Sequence, residues 1–256
     1  MRRIRIIVAY DGTNYVGWQV QPNGVSIQAH LERALFELTG EKTRVEGSGR
    51  TDSGVHAKAQ VAHFDTGARM SADKFAIAMN MHLPSDIRVL YSEECDPSFH
   101  ARFSAKQKQY AYTVQVGPHA DVFARLTSLH LHYIPDFEAM QKAAFAVVGT
   151  HDFSAFKCAD STIENTVRTI TQSEWTRQGQ FWIYSVTGNG FLYNMVRILV
   201  GTMLEIGSGK RPYTDMENAL RSCSRSDAGA TAPAHGLCLM RVCYPDFDTQ
   251  EVLNRG

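Results

Sequence analysis

The sequence lacks most of the features that mark a metalloprotein or a secreted protein. Its five cysteines are odd in number and scattered, without a CxxC pair, which argues against a zinc knuckle and against a disulfide framework. Reduced thiols of this kind are typical of a cytosolic protein. Four of the histidines, His56, His63, His82 and His151, show no HxxxH or HxH spacing, so we expect no metal site.

Long apolar runs are also missing. The first run follows basic residues at the start of the chain, but it ends at Asp11-Gly12 and is too short for a secretory signal peptide. A later run near 195–204 is interrupted by Arg197 and is too short to span a bilayer. We therefore expect a cytoplasmic protein that does not enter the membrane.

Neither sign of charge dominates, because 26 Lys and Arg residues balance 26 Asp and Glu residues. A net charge of zero counts mildly against nucleic acid as a partner, since phosphate binding usually leaves a basic imprint on the whole domain. A local basic cleft remains compatible with it, because the field in a groove depends on how charge is distributed. The apolar fraction of 44% is typical of a packed globular protein.

Hydrophobic periodicity and turn residues predict alternating strands and helices. The first part has predicted strands at 4–10, 59–65 and 87–93, and predicted helices between Ser26 and Gly40 and over 72–82. The second part has predicted strands at 109–116, 168–175, 181–188 and 238–244, and predicted helices over 136–148 and 195–206. This order predicts an α+β fold of two ferredoxin-like halves, 1–105 and 106–256. We expect a mixed, largely antiparallel sheet with helices on one face and an active-site cleft between the halves.

The densest chemical pattern is a glycine-rich loop, GSGRTDSGVHA, at 47–57. Its glycines permit unusual backbone angles and let a substrate approach the main chain closely. The single carboxylate, Asp52, stands two residues after Arg50 and could act as a nucleophile or general base. The alternative is a surface turn in which Asp52 only caps backbone N–H groups. A phosphate-binding loop is disfavoured, because the GK[ST] ending is absent.

A second pattern is the apolar helix predicted from Met195, which carries one cation, Arg197. A buried guanidinium needs a partner, since an uncompensated one costs several kcal/mol. Asp52 would be a suitable partner, because the pair would keep the carboxylate ionised and fixed. Alternatively, Arg197 lines a cleft or extends from one end of the helix to the surface.

A third pattern is the acid-free segment FHARFSAKQKQYAYTV at 99–114, in which basic and aromatic side chains alternate. Basic groups for phosphates interleaved with rings for stacking are the composition that an RNA-binding surface requires. The candidates for RNA contact are Arg102, Lys106, Lys108 and Tyr110. Buried tyrosines are common on strands, however, and this segment alone is a weak indication.

Taken in order, these three patterns resemble the tRNA pseudouridine synthase A (TruA) family. DGTNYVGWQVQ at 11–21, GTHDFSAF at 149–156, GNGFLYNMVRILVGTM at 188–203 and TAPAHGLCL at 231–239 resemble it as well, so that the resemblance covers nearly the whole chain. The most specific stretch is GRTDSGVHA, in which Ser53 replaces a frequent alanine. The segment before Tyr110 has fewer arginines than is usual in the family, which leaves the details of RNA docking open.

The resemblance implies a homodimeric enzyme without metal or cofactor that converts uridine to pseudouridine at positions 38, 39 and 40 of the tRNA anticodon stem-loop. It implies that Asp52 is the catalytic aspartate, that Tyr110 is the active-site tyrosine and that Arg197 pairs with Asp52. Arg50 matches an arginine that holds the flipped-out nucleotide. Whether Asp52 attacks the ribose, deprotonates it or adds to uracil C6 is left open by the sequence.

Two other functions compete with this one. Asp52-Ser53-Gly54 and Asp65-Thr66-Gly67 are triplets of the aspartic-protease type, but both lie in one half, whereas such a protease takes its two carboxylates from equivalent loops of two halves or two subunits. A non-catalytic RNA-binding module would explain the segment 99–114. It would give no reason for a carboxylate among the glycines of the loop.

Overall fold

The computed structural model describes residues 1–158 and 163–255. The strands within these ranges are β1 (Arg2–Tyr10), β2 (Glu46–Gly47), β3 (His56–Thr66), β4 (Ile87–Cys95), β5 (Gln107–Val116), β6 (Leu129–Leu131), β7 (Gly149–Asp152), β8 (Val167–Gln178), β9 (Phe181–Gly188) and β10 (Leu237–Cys243). The α-helices are α1 (Ile27–Thr39), α2 (Lys74–Asn80), α3 (Phe137–Phe145), α4 (Met195–Gly207), α5 (Asp215–Ser222) and α6 (Thr249–Leu253). The chain is therefore α+β, as predicted.

The chain divides into two compact units, and the division differs from two consecutive halves. The first unit is Met1–Lys108 together with Cys238–Gly256, and the second is Gln109–Leu237. The closing strand β10, which the sequence analysis assigned to the second half, pairs in parallel with β3 of the first unit. A pairing between strands so distant in sequence leaves no local pattern, so the boundary could not be located from turn residues.

In the first unit the strand order is β4-β1-β3-β10, with β2 also paired to β3. Both β3 and β4 run antiparallel to β1. Five consecutive residues of β1, Ile4–Val8, are buried, so both faces of this strand are covered, since successive side chains point to opposite faces. Helix α2 packs against β4 and contacts α1. One buried residue of β1 is charged: Arg5 lies 3.7 Å from the ring centroid of Phe247, in the C-terminal segment.

In the second unit the order is β5-β9-β8-β7, with β6 paired in parallel to β5. Strands β8 and β9 form the predicted hairpin, and Gly179 at its turn has a φ of 61°. Along β9 buried residues alternate strictly with partly exposed ones, which is the pattern of a sheet covered on one face. Helix α3 packs against both α4 and β8. The sheets are thus mixed and largely antiparallel, as expected.

The ends of the helices show where local sequence was sufficient. Helix α1 begins as predicted, because the Ser26 hydroxyl accepts a hydrogen bond from the N–H of Ala29, and it ends at Gly40 in the left-handed region. Helices α2 and α3 are shorter than predicted, since α2 ends at Asn80 and α3 at Phe145. Helices α5 and α6 were not predicted at all, and neither exceeds eight residues.

Candidate active site

Buried polar side chains of the first unit hold the loop 47–55 in place. The Tyr10 hydroxyl lies 2.8 Å from Thr51 Oγ1, next to Asp52. The Gln60 side chain binds the loop twice: its Nε2 donates to the Gly49 carbonyl at 2.9 Å, and its Oε1 accepts from the Ser48 hydroxyl at 2.5 Å. These groups are shielded from water, so breaking one of these hydrogen bonds would leave a buried donor or acceptor without a partner. The cost in free energy of that loss holds the loop in place.

Two glycines allow the segment 11–18 to lie directly against this loop. A Cβ at Gly17, whose φ is 103°, would stand 2.5 Å from the Thr51 carbonyl oxygen. A Cβ at Gly12 would stand 2.1 Å from the Val55 carbonyl oxygen. The Trp18 N–H also donates to the Thr51 carbonyl at 3.1 Å. We did not predict this support, although the two glycines in DGTNYVGWQ could have indicated a close approach of two backbones.

Asp52 is half-buried at the start of a tight turn. Its carbonyl accepts from the N–H of Val55 at 3.1 Å, and Gly54, within the turn, has a φ of 78°. The Ser53 hydroxyl donates to the Tyr15 carbonyl at 3.1 Å. The backbone on both sides of Asp52 is therefore fixed by bonds to other segments. A carboxylate positioned in this way suits a reaction that needs one aligned nucleophile.

Arg50 and Arg102, both proposed from sequence as RNA contacts, line one cavity of the first unit. The cavity measures about 60 Å³, and Trp18 and Gly47 also line it. A third arginine at the cavity, Arg44, is paired with Glu46 at 2.7 Å. The side chains of Arg50 and Arg102 are exposed. The structure thus brings together two cations that stand far apart in sequence.

The two lysines before Tyr110 lie in different surroundings. Lys106 is exposed, and its backbone N–H donates to the Cys243 carbonyl at 2.8 Å. The ammonium group of Lys108 donates to the Ser48 carbonyl, and it would lie 3.3 Å from a Cβ placed at Gly49. Lys108 therefore supports the loop that carries Asp52. Its predicted contact with RNA remains a prediction.

Tyr110 lies in the second unit on β5 and is 8% exposed. Its ring meets the ring of Phe191 edge to face, with centroids 5.2 Å apart. Tyr112, two residues along the same face of the strand, is fully buried, and its hydroxyl donates to the Pro233 carbonyl at 2.9 Å. Burial raises the pKa of Tyr112 above its ordinary value. Both tyrosines are buried, and Tyr112 is the more deeply buried of the two.

Arg197 lies in the first turn of α4, which is buried along nearly its whole length. Its Nε donates to the Ala232 carbonyl at 2.8 Å, and its Nη1 donates to Asn194 Oδ1 at 2.9 Å. The N–H of Ala232 in turn donates to the Arg197 carbonyl at 3.0 Å. These bonds orient the guanidinium of a half-buried residue at the start of the helix, and whether Arg197 lines a cleft or extends to the surface stays a prediction.

The predicted catalytic residues are thus divided between the units: Asp52 lies in the first, and Tyr110 and Arg197 lie in the second. The pairing of Asp52 with Arg197, and a cleft that holds both, stay predictions.

Among residues 1–158 and 163–255, no group of three His, Cys, Asp or Glu side chains could hold a metal ion. His130 and His132 do stand two apart, but His130 Nε2 lies 2.7 Å from the Gly117 carbonyl oxygen. No helix in the described part of the chain is both long and apolar enough to cross a bilayer.

Comparison with known proteins adds an independent line of evidence. A family model described as tRNA pseudouridine synthase matches residues 6–104 and 143–245. The protein named tRNA pseudouridine synthase A from Halalkalibacterium halodurans is 50% identical over 93% of this chain and 90% of its own length. Proteins of the same name from Brevibacillus brevis and Shouchella clausii are 46% and 48% identical over 95% of this chain, covering 100% and 94% of their own lengths.

Among solved structures, a chain of a Cbf5-Nop10-Gar1 complex aligns with 92% of this chain at 12% identity and a TM-score of 0.37, and this chain spans 57% of its length. That likeness is too low to bear on the assignment. The family model and the relatives of nearly equal length are sufficient by themselves: the chain belongs to the tRNA pseudouridine synthase family.

Proposed function

We propose that this protein isomerises uridine to pseudouridine in the anticodon stem-loop of tRNA, at positions 38, 39 and 40. Membership of the family and relatives named tRNA pseudouridine synthase A support the reaction and the substrate class. The observation that carries the proposal is the half-buried Asp52 on a loop fixed by Tyr10, Gln60 and Gly17. A surface turn would not need such support.

The reaction breaks the bond between ribose C1′ and uracil N1 and joins C1′ to C5, from which a proton leaves, while N1 gains one. The uridine must first leave the base stack, which costs a few kcal/mol and least in loops. Asp52 then attacks or deprotonates the ribose near C1′, or adds to uracil C6. All of these routes need an ionised carboxylate in a site that excludes water.

The roles of the other site residues follow from the resemblance to the family, and their surroundings support them. Tyr110, nearly buried against Phe191, stacks on the uracil, and its hydroxyl helps to remove the C5 proton. Arg197 pairs with Asp52 and keeps it charged, which suits a guanidinium already oriented by Ala232 and Asn194.

The exposed cations have a different role. Arg50 holds the flipped nucleotide, and Arg102 binds RNA beside it, since both line one cavity. Lys106 binds RNA phosphate, whereas Lys108 acts mainly on the loop through Ser48. The enzyme works in the cytoplasm as a homodimer, without metal or cofactor. Of these features, the homodimer rests on the resemblance to the family alone.

The first test is tritium release from tRNA labelled at uridine C5, with wild type, Asp52→Asn and Asp96→Asn. Asp96 is a matched control, because it is exposed and its carboxylate binds its own turn through Ser98. We expect Asp52→Asn to lose on the order of 10³-fold or more in single-turnover rate, as is usual for a residue that reacts directly. Asp96→Asn should keep the wild-type rate.

The outcomes separate the competing functions. Wild-type protein that binds tRNA tightly but releases no tritium would be an RNA-binding module. Release by Asp52→Asn at the wild-type rate would keep the reaction and remove Asp52 from it. Rates of Asp52→Asn, Arg197→Gln and the double variant should be strongly non-additive if the two residues act as a pair. Additive losses would contradict the pairing.

A further inference from the structure

Arg168, on β8, is a half-buried cation that no carboxylate in the described part of the chain neutralises. Its Nη1 donates to the carbonyls of Asn165 at 3.0 Å and Val167 at 2.6 Å. Throughout 1–158 and 163–255 it forms no ion pair, and its Nε and Nη2 have no acceptor. Burial lowers the pKa of Arg168 below its ordinary value. A guanidinium in this position is only partly satisfied.

The free edge of this guanidinium faces a glycine. A Cβ at Gly190 would lie 3.6 Å from Arg168 Nε, so the loop after β9 passes beside the side chain and places no side chain of its own at this residue. Directly across the sheet, the partner of Arg168 on β7 is His151, which is not acidic either. Nε and Nη2 form the side of the guanidinium that donates two parallel hydrogen bonds, which matches a phosphate or a carboxylate.

The same loop connects Arg168 to the predicted uracil site. Gly190 lies beside Arg168, and the next residue, Phe191, contacts the ring of Tyr110. Because consecutive Cα atoms are 3.8 Å apart, one short stretch of this loop lies beside both Arg168 Nε and the ring of Tyr110. An RNA strand bound at Tyr110 carries one phosphate for each nucleotide, and each phosphate can accept a bidentate pair.

We propose that Arg168 binds a backbone phosphate of the tRNA, close to the nucleotide whose base meets Tyr110. The contact positions the strand and carries no sequence information. This inference rests on the proposed function for the identity of the ligand, because it takes RNA as the source of the phosphate. Arg168 is then a binding residue that the basic-aromatic segment 99–114 did not reveal.

The test measures binding and tritium release with an unmodified tRNA transcript at several salt concentrations. The variants are Arg168→Gln, Arg168→Lys and the control Arg177→Gln. Arg177 lies near the other end of β8, exposed, over the rings of Phe137 and Trp182. We expect Arg168→Gln to weaken binding about tenfold and to reduce the salt slope by about 0.7–0.9, the loss of one phosphate contact. Arg168→Lys should keep the slope, and Arg177→Gln should match wild type.

Wild-type affinity or an unchanged salt slope in Arg168→Gln would overturn the proposal, whatever its stability. If that variant does not fold, Gly190→Ala decides instead, since its methyl group would only touch the guanidinium. Weaker binding of Gly190→Ala at an unchanged melting temperature supports a ligand at this edge, and wild-type binding overturns it. If wild type binds tRNA without releasing tritium, the proposed function fails, while affinity and slope still decide the role of Arg168.

Discussion

The two units of the protein cover their sheets differently. In the first unit β1 is buried on both faces, and polar groups such as Arg5, Tyr10 and His63 lie inside. In the second unit β9 buries only alternate residues, and aromatic and aliphatic side chains fill its covered face. Buried polar groups demand specific partners, whereas apolar ones demand only volume. The loop that carries Asp52 belongs to the first unit, which has the buried polar groups. We therefore expect substitutions to disturb the geometry of this loop more easily than that of the second unit.

Glycines with positive φ provide the sharpest test of this difference. Gly17→Ala combines a strained φ with a clash at the Thr51 carbonyl, and we expect it to cost about 3 kcal/mol in free energy of unfolding. A loop shifted by about 1 Å should also lose about 100-fold in rate. Gly179→Ala, where no described atom lies within 4 Å, should cost about 1 kcal/mol and leave the rate unchanged. Denaturant unfolding measures the free energy of unfolding, and tritium release measures the rate. Equal losses in Gly17→Ala and Gly179→Ala would contradict the comparison.

Buried and exposed arginines give the next largest difference. The guanidinium of Arg5 lies between Phe99 and Phe247, and its NH2 group bonds Glu93 at 2.5 Å. We expect Arg5→Met to cost about 2–3 kcal/mol in free energy of unfolding, because it leaves Glu93 half-buried without its cation. Arg177→Met in the second unit should cost at most about 1 kcal/mol, because Arg177 is exposed. Chemical denaturation of both variants measures these losses, and a larger loss for Arg177→Met than for Arg5→Met would contradict the comparison.

Two buried tyrosines, one in each unit, have similar hydrogen bonds and can be compared by the same substitution. The Tyr10 hydroxyl lies 2.8 Å from Thr51 Oγ1, and the Tyr184 hydroxyl lies 2.8 Å from Ser173 Oγ. Replacing either by phenylalanine should cost about 1 kcal/mol in free energy of unfolding, the usual value of one hydrogen bond. Only Tyr10→Phe should lower the rate, since Thr51 precedes Asp52. Equal rates in the two variants would show that the bond to Thr51 does not position the loop.

The smallest effect is a dependence of stability on pH that originates in the first unit. Burial, followed by the nearby charges of Arg3 and His100, lowers the pKa of His63 to about 4. Between the ordinary pKa of about 6.5 and this value the unfolded chain binds more protons, so the free energy of unfolding falls as pH is lowered. Between pH 7 and pH 5 we expect wild type to lose about 1 kcal/mol more than His63→Gln. Parallel pH profiles would contradict this origin.

Much of the fold was accessible from sequence because its cues are local. Ser26 and Gly40 fix the ends of α1, and the turn at Gly179 separates the two strands of the hairpin. The short helices α5 and α6 were missed, because eight residues or fewer are too short a window in which to recognise a helical period. The membership of β10 in the first unit depends on a contact between distant segments, which no local pattern records.

The candidate site was predictable where chemistry is concentrated in a motif. Asp52 and Arg50 stand in one glycine-rich loop, and Arg197 is conspicuous as the only cation of an apolar helix. Arg168 was not singled out, because an arginine near the start of a strand looks like any solvated one. Its significance depends on which groups do not approach it, and that is visible only in three dimensions.

The parallel pairing of β3 with β10 sets an order of events during synthesis on the ribosome. Strand β3 ends at Thr66 and β10 begins at Leu237, so the edge of β3 waits for 237 − 66 = 171 further residues. At about 5–20 residues per second, that delay is on the order of ten to thirty seconds. During this time the edge of β3 that pairs with β10 is open in the nascent chain, and the ring of Phe247, which lies over Arg5, has not yet been synthesised. The first unit, whose strands β1 and β3 are synthesised early, is therefore completed only when β10 and the segment after it have been synthesised.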